Sequence, residues 1–262
     1  MKVVFIGSGN VATHLSVAMQ KAGYVIGQVY SRNEIHAQAL AGRLHCDWTA
    51  KTGEITPAAD LYVFAVRDDA LPGLLTQIPP NNGLWIHTAG SVPMDVFEGH
   101  AAHCGVLYPL QTFSGNRDTD FRRVPCLIEA RWPEDETRLH EIAGRLSDSV
   151  QTLSSDKRKF VHLAAVFACN FSNHMYALAD QLVRGQGLST DVLLPLIDET
   201  AAKIHVLSPS DAQTGPAVRG DRQTLDRHLA LLPDPATREI YQLISNHIYK
   251  ETEHEQHSIR PV

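Results

Sequence analysis

The sequence is short of everything that would tie it to an oxidising compartment, a membrane surface or a nucleic acid. Only four cysteines stand among its 262 residues, Cys46, Cys104, Cys126 and Cys169, and none forms a CxxC pair. That pattern excludes a disulfide scaffold and favours buried, reduced thiols. There are 14 histidines, and His100 and His103 lie close together, but no further ligand at zinc spacing accompanies them, so no metal is expected. No apolar run approaches membrane-spanning length, and the first residues enter a strand (Lys2-Val3-Val4-Phe5-Ile6) without the shape of a signal peptide. A soluble, cytoplasmic protein without a membrane partner is expected. A basic excess is also missing: the formal charge is −6, which argues against a nucleic-acid partner. No internal repeat or low-complexity tract interrupts the chain.

What remains is ordinary globular composition, 44% hydrophobic and 20% charged. A chain of this length makes one large or two modest domains, and it buries roughly 70–75% of its unfolded surface without covalent help. Strand and helix signals alternate through the first half. Val3 to Ile6 is a short, continuously apolar run, as a strand buried on both faces requires, and a helical pattern from Val11 to Ala22 follows, closed by Gly23. Further strands are expected at 24–30, 46–48, 61–66, 84–87, 105–108, 125–130 and 150–153, with helices at 34–43 and 133–146. This alternation predicts an α/β fold with a doubly wound parallel sheet of Rossmann type. From about Ser155 onward strand signals stop. Phe160, Leu163, Ala164, Phe167, Phe171 and Met175 recur at helical spacing, and helices are expected near 190–207, 221–231 and 235–249. The boundary is therefore placed at 153/154, with a nucleotide domain before it and an all-α domain for substrate binding and dimerisation after it.

The motif that carries chemistry is Gly7-Ser8-Gly9-Asn10-Val11-Ala12, a GxGxxA fingerprint between a strand and a helix. Gly7 permits the tight turn, Gly9 admits a pyrophosphate to the backbone, and Ala12 lets helix pack on strand. The phosphates then meet N–H groups at the helix N-terminus. After the second strand an NAD site needs a carboxylate for the ribose 2′-hydroxyl; here Tyr30-Ser31-Arg32-Asn33 offers none before Glu34. Arg32 can pair bidentately with a 2′-phosphate while Ser31 and Asn33 donate hydrogen bonds, so NADP(H) is the expected cofactor. Ligands in such sheets bind beyond the carboxyl ends of strands, which brings in Val66-Arg67-Asp68 on the adenosine side and His87-Thr88 with Ser91 near the nicotinamide.

The run Phe5 to Ala12 resembles the opening of pyrroline-5-carboxylate reductases, and of the group holding ketopantoate reductases, β-hydroxyacid dehydrogenases and F420-dependent NADP reductases. A closer resemblance spans nearly the whole chain. His87-Thr88-Ala89-Gly90-Ser91, Tyr108 to Phe113, His162 to Phe167 and Thr214 to Asp221 resemble a bacterial family of NADP oxidoreductases that pairs a Rossmann-like domain with a helical domain of unknown function. That resemblance implies an all-α domain of the 6-phosphogluconate dehydrogenase C-terminal type and a homodimer whose second subunit helps build the cleft; it implies no particular substrate. The chain departs from the hydroxyacid dehydrogenases in lacking their Lys followed four residues later by Asn: Lys159 is followed by Leu163, and Asn170 is preceded by Val166.

Hydride transfer to a carbonyl or imine needs a proton donor. His162 is the expected donor, with Asn170 and Asn173 orienting the substrate, because at 3.6 residues per turn His162 and Asn170 fall within about 80° of each other. Arg219 can hold an anionic group of the substrate, while Asp221 can cap the helix after it. The expected function is hydride transfer from NADPH to a small polar carbonyl or imine; the alternatives are a non-catalytic NADP(H) sensor and an F420-linked reductase.

Overall fold

A computed structural model describes residues 1–115 and 117–258, with the side chains of 254–258 left aside. Two compact units emerge, Met1–Phe171 and Ser172–Val262.

The first unit is built on eight strands: β1 (Lys2–Ile6), β2 (Val25–Tyr30), β3 (Asp47–Thr49), β4 (Leu61–Phe64), β5 (Leu84–His87), β6 (Cys104–Pro109), β7 (Cys126–Ala130) and β8 (Val150–Thr152). They lie in the order β3-β2-β1-β4-β5-β6-β7-β8. The sheet is parallel from β3 to β6. β7 then pairs with β6 in the opposite direction, Gly105 facing Ala130 and Pro109 facing Cys126, and β8 follows β7 in parallel. The alternating pattern of the sequence carries no strand direction for this edge. Its reason is local: residues 110–125 hold only one 3-10 turn among the described residues, Phe121–Arg123, so the chain has no helical crossover with which to return in parallel.

Alternate residues of the central strands feed two cores, as the two-residue period of a strand demands. Val3 and Phe5, Leu61 and Val63, and Leu84 and Ile86 face one side with α1 (Asn10–Lys21), α2 (Glu34–Leu44) and, beyond α3 (Leu71–Leu75), α4 (Pro133–Leu146). Val4, Ile6, Tyr62, Phe64 and Trp85 face the other side with α3 and Phe97. There Trp85 packs on Phe64 with ring centroids 5.0 Å apart and edge-on to Phe97 at 6.3 Å. The turns fall where glycine signals them; Gly23, at φ 88, closes α1.

The expected boundary at 153/154 marks the change from strand to helix, but the compact first unit runs on through α5 (Ser155–Ala165) and a π-helical stretch, Val166–Phe171. A buried ion pair holds α5 to the sheet. Arg158, 1% exposed, donates to Glu129 Oε2 of β7 at 2.6 Å, to the Val92 carbonyl at 2.6 Å and to Ser155 Oγ at 3.0 Å. Glu129 accepts in addition from the Ser155 N–H at 2.9 Å and hydroxyl at 2.6 Å. The π-helical stretch also breaks the 3.6-residue period on which the angular relation of His162 to Asn170 rests, since its bonds run from i to i+5.

The second unit is helical: α6 (Ser172–Arg184), α7 (Leu194–Lys203), α8 (Arg222–Leu231) and α9 (Pro235–Ser258), the last running beyond the expected end at 249. Asp221 caps α8, accepting from the Thr224 N–H at 3.1 Å. No helix among the described residues is long and apolar enough to cross a membrane.

Removing one partner of a buried pair strands the other charge. Glu129→Gln is therefore expected to destabilise the protein by about 3 kcal/mol in urea denaturation at neutral pH, and the double change with Arg158→Met by less than the sum of the two single changes.

Candidate functional site

The carboxyl ends of β1, β2 and β4 meet over a cleft of about 400 Å³. Gly7, Ser8, Gly9, Ser31, Arg32, Asn33, Val66 and Arg67 line it, all expected at the cofactor from the sequence; so do Tyr30, named there only as part of the strand end, and His36, Ala65, Ala70 and Leu74, which were not expected. The glycine turn explains itself. Gly7 has φ 121 and donates its N–H to the Tyr30 carbonyl at 2.8 Å, and a Cβ there would run into the Ala65 carbonyl. Gly9 caps α1 with an ordinary φ of −77, and a Cβ on it would meet nothing within 4 Å. Its constraint is thus external: it keeps the way open to the first turn of α1, whose N–H groups have no side-chain cap.

The rim after β2 is polar and cationic. Ser8 and Ser31 share a hydroxyl hydrogen bond at 2.8 Å. The Asn33 Oδ1 accepts the His36 N–H at 3.1 Å and caps α2, leaving its amide nitrogen as the donor. Arg67 lies in an exposed ion pair with Asp69, at 2.7 Å. Arg32 has no carboxylate within ion-pair distance among the described residues. His36 enters this rim from the first turn of α2; a basic residue one turn past a carboxylate-free strand end is the signal that could have found it. Asn10 and Val11, expected at the cofactor, do not line the cleft: Asn10 Nδ2 donates to the Phe113 carbonyl at 2.9 Å and Val11 packs on the core.

Another cluster forms beyond β5 and β6. His162 of α5 holds the Tyr108 hydroxyl at Nδ1, 3.0 Å away, with the rings edge to face at 73°. Its imidazole rests on Gly90, where a Cβ would stand 2.6 Å from Nδ1. Ser91 hydrogen-bonds to Asp68 and so bridges the ends of β5 and β4. Burial pushes the Tyr108 pKa up, the Arg158 guanidinium opposes this and Asp68 adds to it, so the phenol stays protonated. Tyr108 and Arg158 have no signature in sequence as site residues; their partners lie 54 and 29 positions away.

His87, expected at the cofactor, has no exposed surface, and Thr88 is 8% exposed. The His87 ring packs on Phe97 at 5.6 Å, and its Nδ1 accepts the Ala89 N–H at 3.2 Å. Burial and the Arg158 charge drive its pKa down to about 3, with the Pro93 carbonyl opposing. It is a neutral prop for the turn after β5, and no proton donor. Asn170 is exposed in the π-helical stretch, and Asn173 and Arg219 are exposed in the second unit. No group of three or more metal-binding side chains occurs among the described residues.

A six-stranded parallel array ordered 3-2-1-4-5-6, with a glycine turn opening a helix at its first strand end, defines a dinucleotide-binding α/β protein of the Rossmann class. The chain belongs to a family of NADP oxidoreductases: it is 46% identical to a "putative NADP oxidoreductase" of Bacteroides fragilis, over 95% of this chain and 98% of that one, with a TM-score of 0.90. Residues 2–86 match the family model described as NADP oxidoreductase, coenzyme F420-dependent, and residues 124–248 match a domain of unknown function, DUF2520. The fold extends to more distant structures. One is a reductive aminase of Aspergillus terreus in complex with NADPH4, cyclohexanone and allyl amine, at 16% identity, 98% and 94% coverage and a TM-score of 0.70. Another is a 1-pyrroline-5-carboxylate reductase of Streptococcus pyogenes, at 12% identity, 95% and 98% coverage and a TM-score of 0.63. No curated protein matches the chain.

His87 couples stability to pH. Its folded pKa lies below the unfolded value of 6.5, so the unfolded chain takes up the proton first and stability falls with acidification. The loss should run at about 1.4 kcal/mol per pH unit from near pH 6.5 to near pH 3, and His87→Leu should lack this component when chemical denaturation is compared across that range.

Proposed function

We propose that this chain binds NADP(H) in the cleft at the ends of β1, β2 and β4 and transfers hydride to a small polar carbonyl or imine. The observation that carries the cofactor choice is Arg32: a cation without an ion-pair partner among the described residues, beside Ser31 and the glycine turn, where an NAD site would hold a carboxylate. An anionic 2′-phosphate fits this rim, and a 2′-hydroxyl alone leaves Arg32 unused. Membership of an NADP oxidoreductase family supports the reading, as does a fold shared with enzymes whose structures contain NADPH beside a ketone and an amine.

The nucleotide domain, 1–153, supplies the cofactor site, and the helical domain, 154–262, supplies substrate contacts and the dimer interface. NADPH, when bound, provides the hydride. His162 supplies the proton to the developing oxyanion or amine, and Ser91 and Asn170 orient the acceptor. The Tyr108–His162 pair favours an enzyme over a passive NADP(H) sensor, because a sensor needs no proton donor. A panel of keto acids, cyclic imines and F420 identifies the acceptor through NADPH oxidation.

Phe160, Leu163, Phe167 and Phe171 repeat at helical spacing and are 66%, 51%, 62% and 50% exposed. Such a stripe is wider than a monomer commonly leaves to water, and a second copy of this chain is the partner we assign to it. Light scattering should then return a dimer mass, and Phe160→Glu with Phe167→Glu should return a monomer.

Titration calorimetry with each nucleotide tests the cofactor claim. NADPH should bind more tightly than NADH, and Arg32→Ser should weaken NADPH about tenfold while leaving NADH nearly unchanged. Equal affinities in the wild type, or tighter NADH binding, would overturn it.

A further inference from the structure

The Tyr108–His162 contact says more than that two polar groups meet. Three parts of the first unit converge on one imidazole. The Tyr108 hydroxyl of β6 engages Nδ1 at 3.0 Å. Gly90, after β5, presents bare backbone where any side chain would strike the ring, 2.6 Å from Nδ1 and 2.7 Å from Cγ. Arg158, one turn earlier on α5 and 1% exposed, is tied to the Val92 carbonyl in the same loop and fixes the rotation of the helix about its axis. Nδ1 is thus committed within the protein, while Nε2 makes no hydrogen bond among the described residues. The titratable group in contact with the ring is Tyr108 on β6, and the charges that act on Tyr108 are Arg158 on α5 and Asp68 after β4.

We propose that Tyr108 is the positioning residue of this site: its phenol holds Nδ1 of His162, Gly90 provides the seat for the ring, and Nε2 is thereby the nitrogen that delivers the proton. The inference rests on the redox reading above and specifies its chemistry. Bound NADPH would supply hydride by breaking its nicotinamide C4–H bond and becoming NADP+, so that a C–H bond forms at the acceptor carbon and the C=O or C=N π pair moves to the heteroatom. That atom takes the proton from Nε2 of the imidazolium, which is left neutral with Nδ1–H donating to the Tyr108 oxygen; solvent then restores the proton. A phenol suits this place because its oxygen accepts from Nδ1–H both before and after the transfer, which holds the neutral ring in the Nδ1–H tautomer. Tyr108 touches neither substrate nor cofactor in this scheme.

The test has one arm that needs no substrate. In protein labelled with ¹⁵N-histidine, neutral His162 should show one fixed tautomer, and Tyr108→Phe should move the two ring nitrogens toward an averaged mixture. Gly90→Ala should have the same effect by displacing the ring, which guards against a fault peculiar to the Phe variant. Spectra unchanged in both variants would overturn the proposal. The other arm uses an acceptor found by the panel. Tyr108→Phe should lower kcat about tenfold with the KM for NADPH unchanged, and should have no further effect in a His162→Ala background. An equal loss in both backgrounds would show that Tyr108 does not act through His162 and would also overturn it. A wild type without NADPH affinity would sink the redox reading instead, and the NMR arm would still report whether the pairing exists.

Discussion

The arrangement of the reactive end of this protein depends on one buried ion pair. Arg158 and Glu129 are worth little as a net source of stability, because desolvating both charges offsets most of their attraction. Their value is geometric. The guanidinium reaches β7 through Glu129 and the loop after β5 through the Val92 carbonyl, and Ser155 closes the ring by contacting both charges and the Met94 N–H. A helix held at its first turn by this many directional bonds cannot rotate. His162, one turn further on, is thereby brought to Gly90 and Tyr108, which contact its ring. Burial keeps His87 neutral and the Arg158 charge adds to that effect, so the cation that anchors α5 also acts on the histidine after β5. The Arg158 Nε is left without a hydrogen bond, a small cost that the rest of the network carries.

Two glycines mark the two ends of the site, and they act for different reasons. At Gly7 the backbone conformation itself forbids a side chain, with φ at 121 and the Ala65 carbonyl pressed against the turn. At Gly90 the obstacle is the imidazole of His162. Gly7 belongs to a known fingerprint and is legible from the sequence. Gly90 resembles any loop glycine until the helix that lies over it is seen.

That difference runs through everything the sequence did and did not disclose. Short continuous apolar runs and helical patterns are local properties, and they placed β5 and α4 at the residues where they are found. The rim of the cleft was legible because Gly7, Gly9, Ser31 and Arg32 each follow a strand whose place is set by chain order. Direction across the β6–β7 edge was not, since it is decided by the lack of a crossover helix among the described residues of 110–125 rather than by any residue in the strands. The role of His87 was misread for a physical reason: a histidine at a strand end reads as polar and available, but the aromatic cluster of Trp85 and Phe97 extends over it. Tyr108 and Arg158 were invisible as site residues because each acts through a partner far along the chain.

The two ends of the first unit differ in charge in the sense that hydride transfer requires. The rim of the cleft holds Arg32 without an ion pair among the described residues, with Arg67 paired to Asp69. Fixed positive charge there suits a ligand that stays anionic throughout the reaction. At the other end Arg158 is spent on Glu129 and Asp68 on Ser91, and what is left is a phenol and an imidazole. A permanent cation at that end would bind a charged acceptor as tightly before reaction as during it, which does not lower the barrier. A proton that moves only as charge develops on the acceptor acts on the transition state alone. On the proposed reading, a fixed cation for the nucleotide and a movable proton for the acceptor would divide binding from catalysis between the two ends of one fold.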